Sequence, residues 1–427
     1  MKIAIAGYGV EGEESHKYWS VDPSHDVTIV DEAETPKFTI PTGAGTLLGA
    51  DAFKKLDGFD LVIRTPGLSP DKIKTDGKIW SATNEFFEKC PAEIIGVTGS
   101  KGKGTTASLI ASILRAAGRT VHLVGNIGQP ALEVLPNIHS SDLVVYELSS
   151  FQLWDLQRSP QTAVVLFIEQ EHLDVHKDMA EYIAAKANIT KFQSPEDVLI
   201  YNAQNEYARS IAEGSVAQKV GYPSESTTHI RDGYFYNGEQ KMCSVGALQL
   251  PGEHNLSNAT AAIDAVWKYT QDATIIEKGL HDFIGLPHRL TFVRSVEGVD
   301  YYDDSIATTP GSAIAALRAF DAPKVIILGG SSKGSDFTEL VAEFSRHDVR
   351  ALLIGAEAIH VAHDLRASGF NNFEIIEAPT MEKVVTRAHD IATAGSVVLL
   401  SPAAASFGLF KNYADRGEQF IAAVNML

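Results

Sequence analysis

Cysteine is nearly absent from the 427 residues. Cys90 and Cys243 are the only two, too few and too far apart for a disulfide framework or a thiolate zinc site. No apolar run reaches the ~18 residues that a membrane span needs, so no membrane insertion is expected. The opening MKIAIAGYGV passes from a short apolar run straight into glycines, without the cleavage region of a secretory signal, which predicts a cytosolic location. Cations are in deficit. Lysine and arginine number 36 against 54 aspartates and glutamates, a net charge of −18, which disfavours nucleic acid and anionic membranes as partners. A phosphate-bearing ligand must then be held by local lysines, metal ions or backbone amides. Tandem repeats and low-complexity tracts are missing too, while 44% apolar and 21% charged residues exclude a disordered chain.

What is present is an alternation of apolar strand-like runs with helix-like segments, the pattern of α/β layers on parallel sheets. The runs form three series. Lys2–Ala6, Asp26–Val30 and Asp60–Ile63 make the first. Glu93–Val97, Val121–Val124, Asp142–Glu147, Thr162–Phe167 and Val198–Tyr201 make the second, and Lys324–Leu328, Arg350–Ile354 and Ser396–Leu400 the third. Three α/β domains are expected, spanning residues 1–90, 91–285 and 286–427. Between Ser224 and Leu250 the helical period fades and Gly, Tyr and Thr accumulate, which predicts an antiparallel β insertion.

The strongest local signal is Val97-Thr-Gly-Ser-Lys-Gly-Lys-Gly-Thr-Thr106, after an apolar strand and before a helix-compatible run. Gly99, Gly102 and Gly104 let the amides of this turn, Ser100 and Lys101 among them, approach phosphate oxygens. The helix start supplies partial positive charge, Lys103 a full one, and Thr105 or Thr106 a hydroxyl for Mg2+. The competing reading is a Gly/Lys-rich surface turn; strand before and helix after favour phosphate. Gly7-Tyr-Gly-Val-Glu-Gly12, with Gly9 central, fits the dinucleotide fingerprint, and Asp31 ends the next strand where a ribose contact is expected. Glu11, Glu13 and Glu14 crowd that loop with charge that opposes a diphosphate.

Glu147, followed by Ser149-Ser-Phe-Gln-Leu153, and Glu171-His-Leu-Asp174 stand at strand ends that could face the phosphate turn, with Mg2+ between them. The alternative is that His172 and Asp174 merely cap a helix. Lys186, inside an amphipathic helix, reads on its own as a solvated lysine. In the third series Tyr302-Asp-Asp-Ser-Ile-Ala-Thr-Thr-Pro310, Gly329–Asp336 and Ser401–Phe407 place three polar loops at strand ends, expected to converge on one ligand site.

In this order, these segments resemble the Mur ligase family of ATP-dependent amide-forming enzymes of peptidoglycan precursor synthesis. The resemblance is carried along nearly the whole chain by Gly7–Gly12, Thr65-Pro-Gly67, the phosphate turn, Gly125-Asn-Ile-Gly128, Glu147–Leu153 and Glu171–Asp174. It continues through Gly252–Ala259, Leu286-Pro-His-Arg289, Asp303–Pro310, Gly329–Phe337, Leu400–Phe407 and Phe410–Gly417. It implies a Rossmann-like amino-terminal domain for a UDP-sugar, a central P-loop ATPase domain and a Rossmann-like carboxyl-terminal domain for an amino acid. It implies ATP and Mg2+ as cofactors, with D-glutamate joined to UDP-N-acetylmuramoyl-L-alanine through an acyl phosphate, in a monomer.

By resemblance, Lys103 would hold β- and γ-phosphates, with Thr105 beside a Mg2+. Glu147 and His172 would sit at the metals, and Lys186 would be carbamylated to an anionic ligand. Asn255, Asn258, Arg289 and Asp304 would surround adenine and ribose. The UDP-substrate would meet Gly7, Gly9, Asp31, Thr65, Gly67 and Asn126, while Thr308, Lys333, Ser406 and Tyr413 would clamp D-glutamate. Five positions depart from the family pattern. Lys101 stands for an Asn, and Gly104 for Ser/Thr, as in folylpolyglutamate synthases. Ile306 stands for a lysine, whose charge Lys101 is expected to restore, and Glu11 for a small hydroxyl residue. Gly408 also replaces an Asp near the amino-acid pocket. The alternatives are a related ligase with another acceptor such as a folate, a non-catalytic nucleotide-binding relative, and a nicotinamide-dependent oxidoreductase, which leaves the phosphate turn unexplained.

Overall fold

The computed structural model describes residues 1–36, 38–126, 129–173, 175–331, 335–406 and 408–427. They form two compact units, residues 1–248 with 254–283, and residues 249–253 with 284–427.

The first unit carries two parallel sheets. One has five strands in the order Gly45–Leu48, Asp26–Asp31, Lys2–Ala6, Leu61–Arg64, Lys78–Trp80. The chain leaves Lys2–Ala6 toward one edge and reaches Leu61–Arg64 on the other side. Their carboxyl ends therefore open the crevice in which doubly wound sheets bind ligands. The other sheet has six strands, in the order Gln218–Tyr222, Val198–Asn202, Thr162–Val165, Glu93–Thr98, Leu143–Glu147, Val121–Gly125, all parallel. Its reversal lies between Glu93–Thr98 and Thr162–Val165, so the turn at 99–106 stands at the crevice of this sheet.

The inserted three-stranded sheet Thr228–Arg231, Tyr234–Asn237, Gln240–Ser244 is antiparallel, as its composition predicts. Helix Lys103–Ala116 buries Leu109, Ile110, Ile113 and Leu114, an apolar stripe at helical spacing. Helix Met179–Lys191 starts at Asp178, whose carboxylate accepts the Glu181 N–H. One apolar cluster runs through both parallel sheets, from Ile3, Trp80 and Phe86 to Ile94, Tyr146 and Val165.

The second unit is a six-stranded mixed sheet in the order Thr291–Val296, Val299–Asp303, Val397–Leu400, Lys324–Gly330, Val349–Gly355, Phe373–Ile375. Only its first pair is antiparallel. Val299–Asp303, Val397–Leu400 and Lys324–Gly330 are neighbours running the same way, so their polar loops leave one edge together, as expected from the sequence. No helix among the described residues is long and apolar enough to cross a membrane.

Candidate functional site

The phosphate turn is built by two glycines in the left-handed region, Gly99 (φ 155) and Gly102 (φ 83). A Cβ on Gly102 would stand 2.2 Å from Asn258 Oδ1. Only glycine fits there, and Asn258, with Asn255 hydrogen-bonded to its side chain at 3.2 Å, therefore lies against the turn. The Lys103 ammonium donates to the Ser100 carbonyl (2.7 Å) and the Gly99 carbonyl (3.1 Å). Lys101 pairs with Glu171 (3.2 Å) and approaches Glu169 (3.9 Å). Ser100 is turned inward: its N–H bonds to the Phe167 carbonyl, and its hydroxyl to the backbone of Glu169. Its expected role at the phosphates is thus one of shaping the turn. The Thr106 hydroxyl is buried and lacks a partner among the described residues, and Thr105 is buried beside it.

Lys186 is not the solvated lysine that its helix suggests. It is 1% exposed and donates to the Gly99 carbonyl at 2.7 Å. Burial, reinforced by the nearby Lys103, holds its ammonium well below the usual lysine range, against the opposing pull of Glu171 and Glu147. Glu147 is buried at its strand's end, where its Oε1 meets Asn126 Nδ2 at 3.5 Å, and its carbonyl accepts the Asn126 N–H. His172 holds a left-handed backbone (φ 60) and packs its ring 4.9 Å from Phe151. The next helix is capped by Asp178 and not by His172, and Asp174 lies outside the described residues. No group of three or more His, Cys, Asp or Glu that could hold a metal occurs among the described residues. A Mg2+ there would rely on one buried carboxylate and on ligand oxygens, which is how Mg2+ is usually bound beside a triphosphate.

At the other sheet of this unit, Gly7 (φ 95) fits under Thr65, whose hydroxyl would be 2.1 Å from a Cβ on Gly7 and donates to the Ala6 carbonyl. Gly9 and Gly67 are open, with nothing near a Cβ at either. Both oxygens of Asp31 already accept turn amides, from Tyr8 at 2.8 Å and Ala33 at 2.9 Å, so Asp31 shapes this loop first. Burial pushes the Glu11 carboxyl up to about 7, against the Gln152 amide that donates to it at 2.8 Å and the nearby Arg64.

In the second unit His288 and Asp303 meet at 2.6 Å. Asp304 accepts from the Ser401 hydroxyl (2.7 Å) and the Leu290 N–H, with Arg289 close enough to act on its charge. Ser305 donates to the Tyr413 carbonyl, and the fully buried Arg416 ties Ser305 to the Ala404 carbonyl. Ser406 is buried in the same loop, Thr308 is half-buried before helix Pro310–Arg318, and Lys333 lies outside the described residues. Of the expected nucleotide residues, Asn255 and Asn258 belong to the first unit and Arg289 and Asp304 to the second. Sequence reasoning missed Tyr182, Arg64, Gln152 and Arg416. Tyr182 alone left a signal, four residues before Lys186 on one helix face.

Burial raises Asp304 to about 7. Between about pH 4 and 7 the folded chain then keeps a proton that the unfolded chain has lost, so stability falls as pH rises through that window. Asp304→Asn should remove this part of the slope. Urea midpoints of both proteins at pH 4.5 and 7.5 check it, and an identical pH response in the two would refute it.

Three comparisons bear on the chain. A family model described as the Mur ligase middle domain matches residues 97–266, and one described as the Mur ligase, glutamate ligase domain matches 288–404. A UDP-N-acetylmuramoylalanine--D-glutamate ligase of Clostridium tetani is 36% identical over 402 residues, 90% of this chain and 87% of that protein. One of Acetivibrio thermocellus is 36% identical over 452 residues, 100% and 96%. The crystal structure of MurF ligase from Thermotoga maritima in complex with ADP superposes with a TM-score of 0.62 at 16% identity, covering 99% of this chain and 94% of that one.

Proposed function

The chain belongs to the Mur ligase family, and from that premise we propose that it is an ATP-dependent ligase joining D-glutamate to UDP-N-acetylmuramoyl-L-alanine. The observation that carries this reading is the convergence of Lys101, Lys103 and Lys186 on one turn, with Glu147 and Asn126 bonded together in the same unit. In a chain of net charge −18, the local cations Lys101 and Lys103 suit a triphosphate.

An oxygen of the substrate carboxylate attacks the γ-phosphorus and ADP leaves, giving an acyl phosphate. The amine nitrogen of D-glutamate then attacks the acyl carbon, loses a proton, and phosphate departs with the C–O electron pair. The protein's share of this chemistry is positioning and charge stabilisation. Lys103 and the turn amides bind the phosphates, and Lys101 adds a second cation. Glu147, Thr105 and His172 would hold a Mg2+, which would supply charge neutralisation at the phosphoryl oxygens. Lys186, whose burial favours the neutral amine, is suited to take up CO2 as a carbamate and so become an anionic ligand. Residues 1–90 receive the UDP-sugar at Gly7, Gly9, Asp31, Thr65 and Gly67, and Asn126 receives its acyl end. Residues 286–427 take D-glutamate at Thr308, Lys333, Ser406 and Tyr413.

The test is phosphate release with ATP, Mg2+ and UDP-N-acetylmuramoyl-L-alanine, with D-glutamate, L-glutamate, lysine or tetrahydrofolate offered in turn. Release with D-glutamate alone is expected. Release only with a folate would move the chain to another branch, and no release with any acceptor would sink the reading.

A further inference from the structure

We propose that the Tyr182 hydroxyl is a positioning group for phosphoryl transfer, holding the phosphate turn in its nucleotide-receiving shape through Ser100. The proposal rests on the reading of that turn as the ATP site.

A proton inventory fixes who donates to whom. A serine hydroxyl has one proton and two acceptor positions. The Ser100 hydroxyl donates to the Glu169 carbonyl at 2.9 Å and accepts the Glu169 N–H at 2.9 Å. Its third neighbour, Tyr182 Oη at 2.9 Å, must therefore donate to it. The Glu171 carboxylate lies farther from the same tyrosine oxygen, at 3.5 Å, and the single tyrosine proton cannot serve both. Tyr182 is fully buried, so this bond is shielded from competing water.

Lys186 stands one helical turn further along Met179–Lys191, on the same face as Tyr182, with its Nζ 4.6 Å over the tyrosine ring. It donates to the carbonyl of Gly99, the residue before Ser100. One helix thus grips two consecutive residues of the turn, a side-chain oxygen at 100 and a backbone oxygen at 99. Both lie just ahead of Gly102, where the chain adopts a left-handed conformation to enter helix Lys103–Ala116. The Ser100 N–H and hydroxyl are consumed in binding the loop after Thr162–Val165, so the turn is pinned across the crevice of the sheet. Amides aimed at a phosphate act only when their backbone is fixed beforehand. Here that fixing comes from outside the turn.

Tyr182→Phe removes the donated proton and keeps the ring that packs on Lys186 and His176. With ATP as the varied substrate, kcat/KM is expected to fall about tenfold, the loss of one buried hydrogen bond. KM for the UDP-sugar and for the amino acid should stay within about twofold, a split that general loosening of the fold would not produce. Ser100→Ala, which also loses both Glu169 bonds, should lose at least as much, Ser100→Thr should retain most of the activity, and the Tyr182→Phe/Ser100→Ala double variant should be no worse than the poorer single one. An unchanged kcat/KM for ATP in a folded Tyr182→Phe protein, or losses that multiply in the double variant, would overturn the proposal. If the unaltered protein fails to bind ATP, the reading of the turn falls instead, and the proposal with it.

Discussion

Lys103→Ala should lower kcat about 10^3-fold or more while the protein remains folded, since it removes a full positive charge from the place where phosphoryl charge develops. The Lys103 ammonium sits on the Ser100 and Gly99 carbonyls, at the entrance to helix Lys103–Ala116, which places its charge beside the helix amides. Arginine is not expected to restore activity. Its planar fork cannot occupy the point between two carbonyls that a compact ammonium fills. Lys101→Ala should cost about 10^2-fold. Its side chain is 43% exposed and paired with Glu171 and Glu169, so a phosphate can compete with those carboxylates for it. Single-turnover phosphate release measures both. A Lys103→Ala protein within tenfold of the parent would end the phosphate reading of the turn, and a mild Lys101→Ala effect would leave that residue as a surface ion pair.

The largest stability effect is expected at Arg64. Its side chain is fully buried and makes a two-pronged pair with Asp155, both N–O distances being 2.7 Å. Its three remaining protons are shared among the carbonyls of Thr65, Pro66, Leu68 and Phe151. Replacing such a pair wholesale with apolar groups can be neutral, but deleting one partner strands the other charge and every carbonyl it served. Arg64→Ala should therefore lose about 3–5 kcal/mol. Arg64→Lys should recover little, because one ammonium cannot satisfy a fork and four carbonyls. Urea unfolding gives the measure. A midpoint shift worth less than about 1 kcal/mol would show that the buried network contributes nothing net.

How much of this was legible beforehand follows from range along the chain. The buried parallel strands were readable because both faces are apolar and the runs are continuous: Lys2–Ala6 and Val198–Asn202 fall where the runs predict. Gly45–Leu48 and Lys78–Trp80 were missed, being edge strands of four and three residues with exposed positions that break the pattern. Thr291–Val296 hides similarly, with half of its residues open to solvent. The glycine turn at 99–106 was readable as a strand-to-helix turn because its signal is local, packed into eight successive residues. The Tyr182–Ser100 and Arg64–Asp155 pairs are not local, at separations of 82 and 91 residues, and no periodicity encodes them. Asp31 matches the fingerprint in spacing, and its carboxylate also holds its own loop, a contact that the fingerprint does not encode.

The apolar cluster that continues from Ile3 and Phe86 into Tyr146 and Val165 bears on how such a protein can change its substrate. The amino-terminal sheet is no detachable cartridge: cutting the polypeptide at the junction would lay open oily surface on both fragments. Recombination that swaps this sheet wholesale must therefore carry its matching face along. The loops at the strand tips, by contrast, can mutate without disturbing the shared interior.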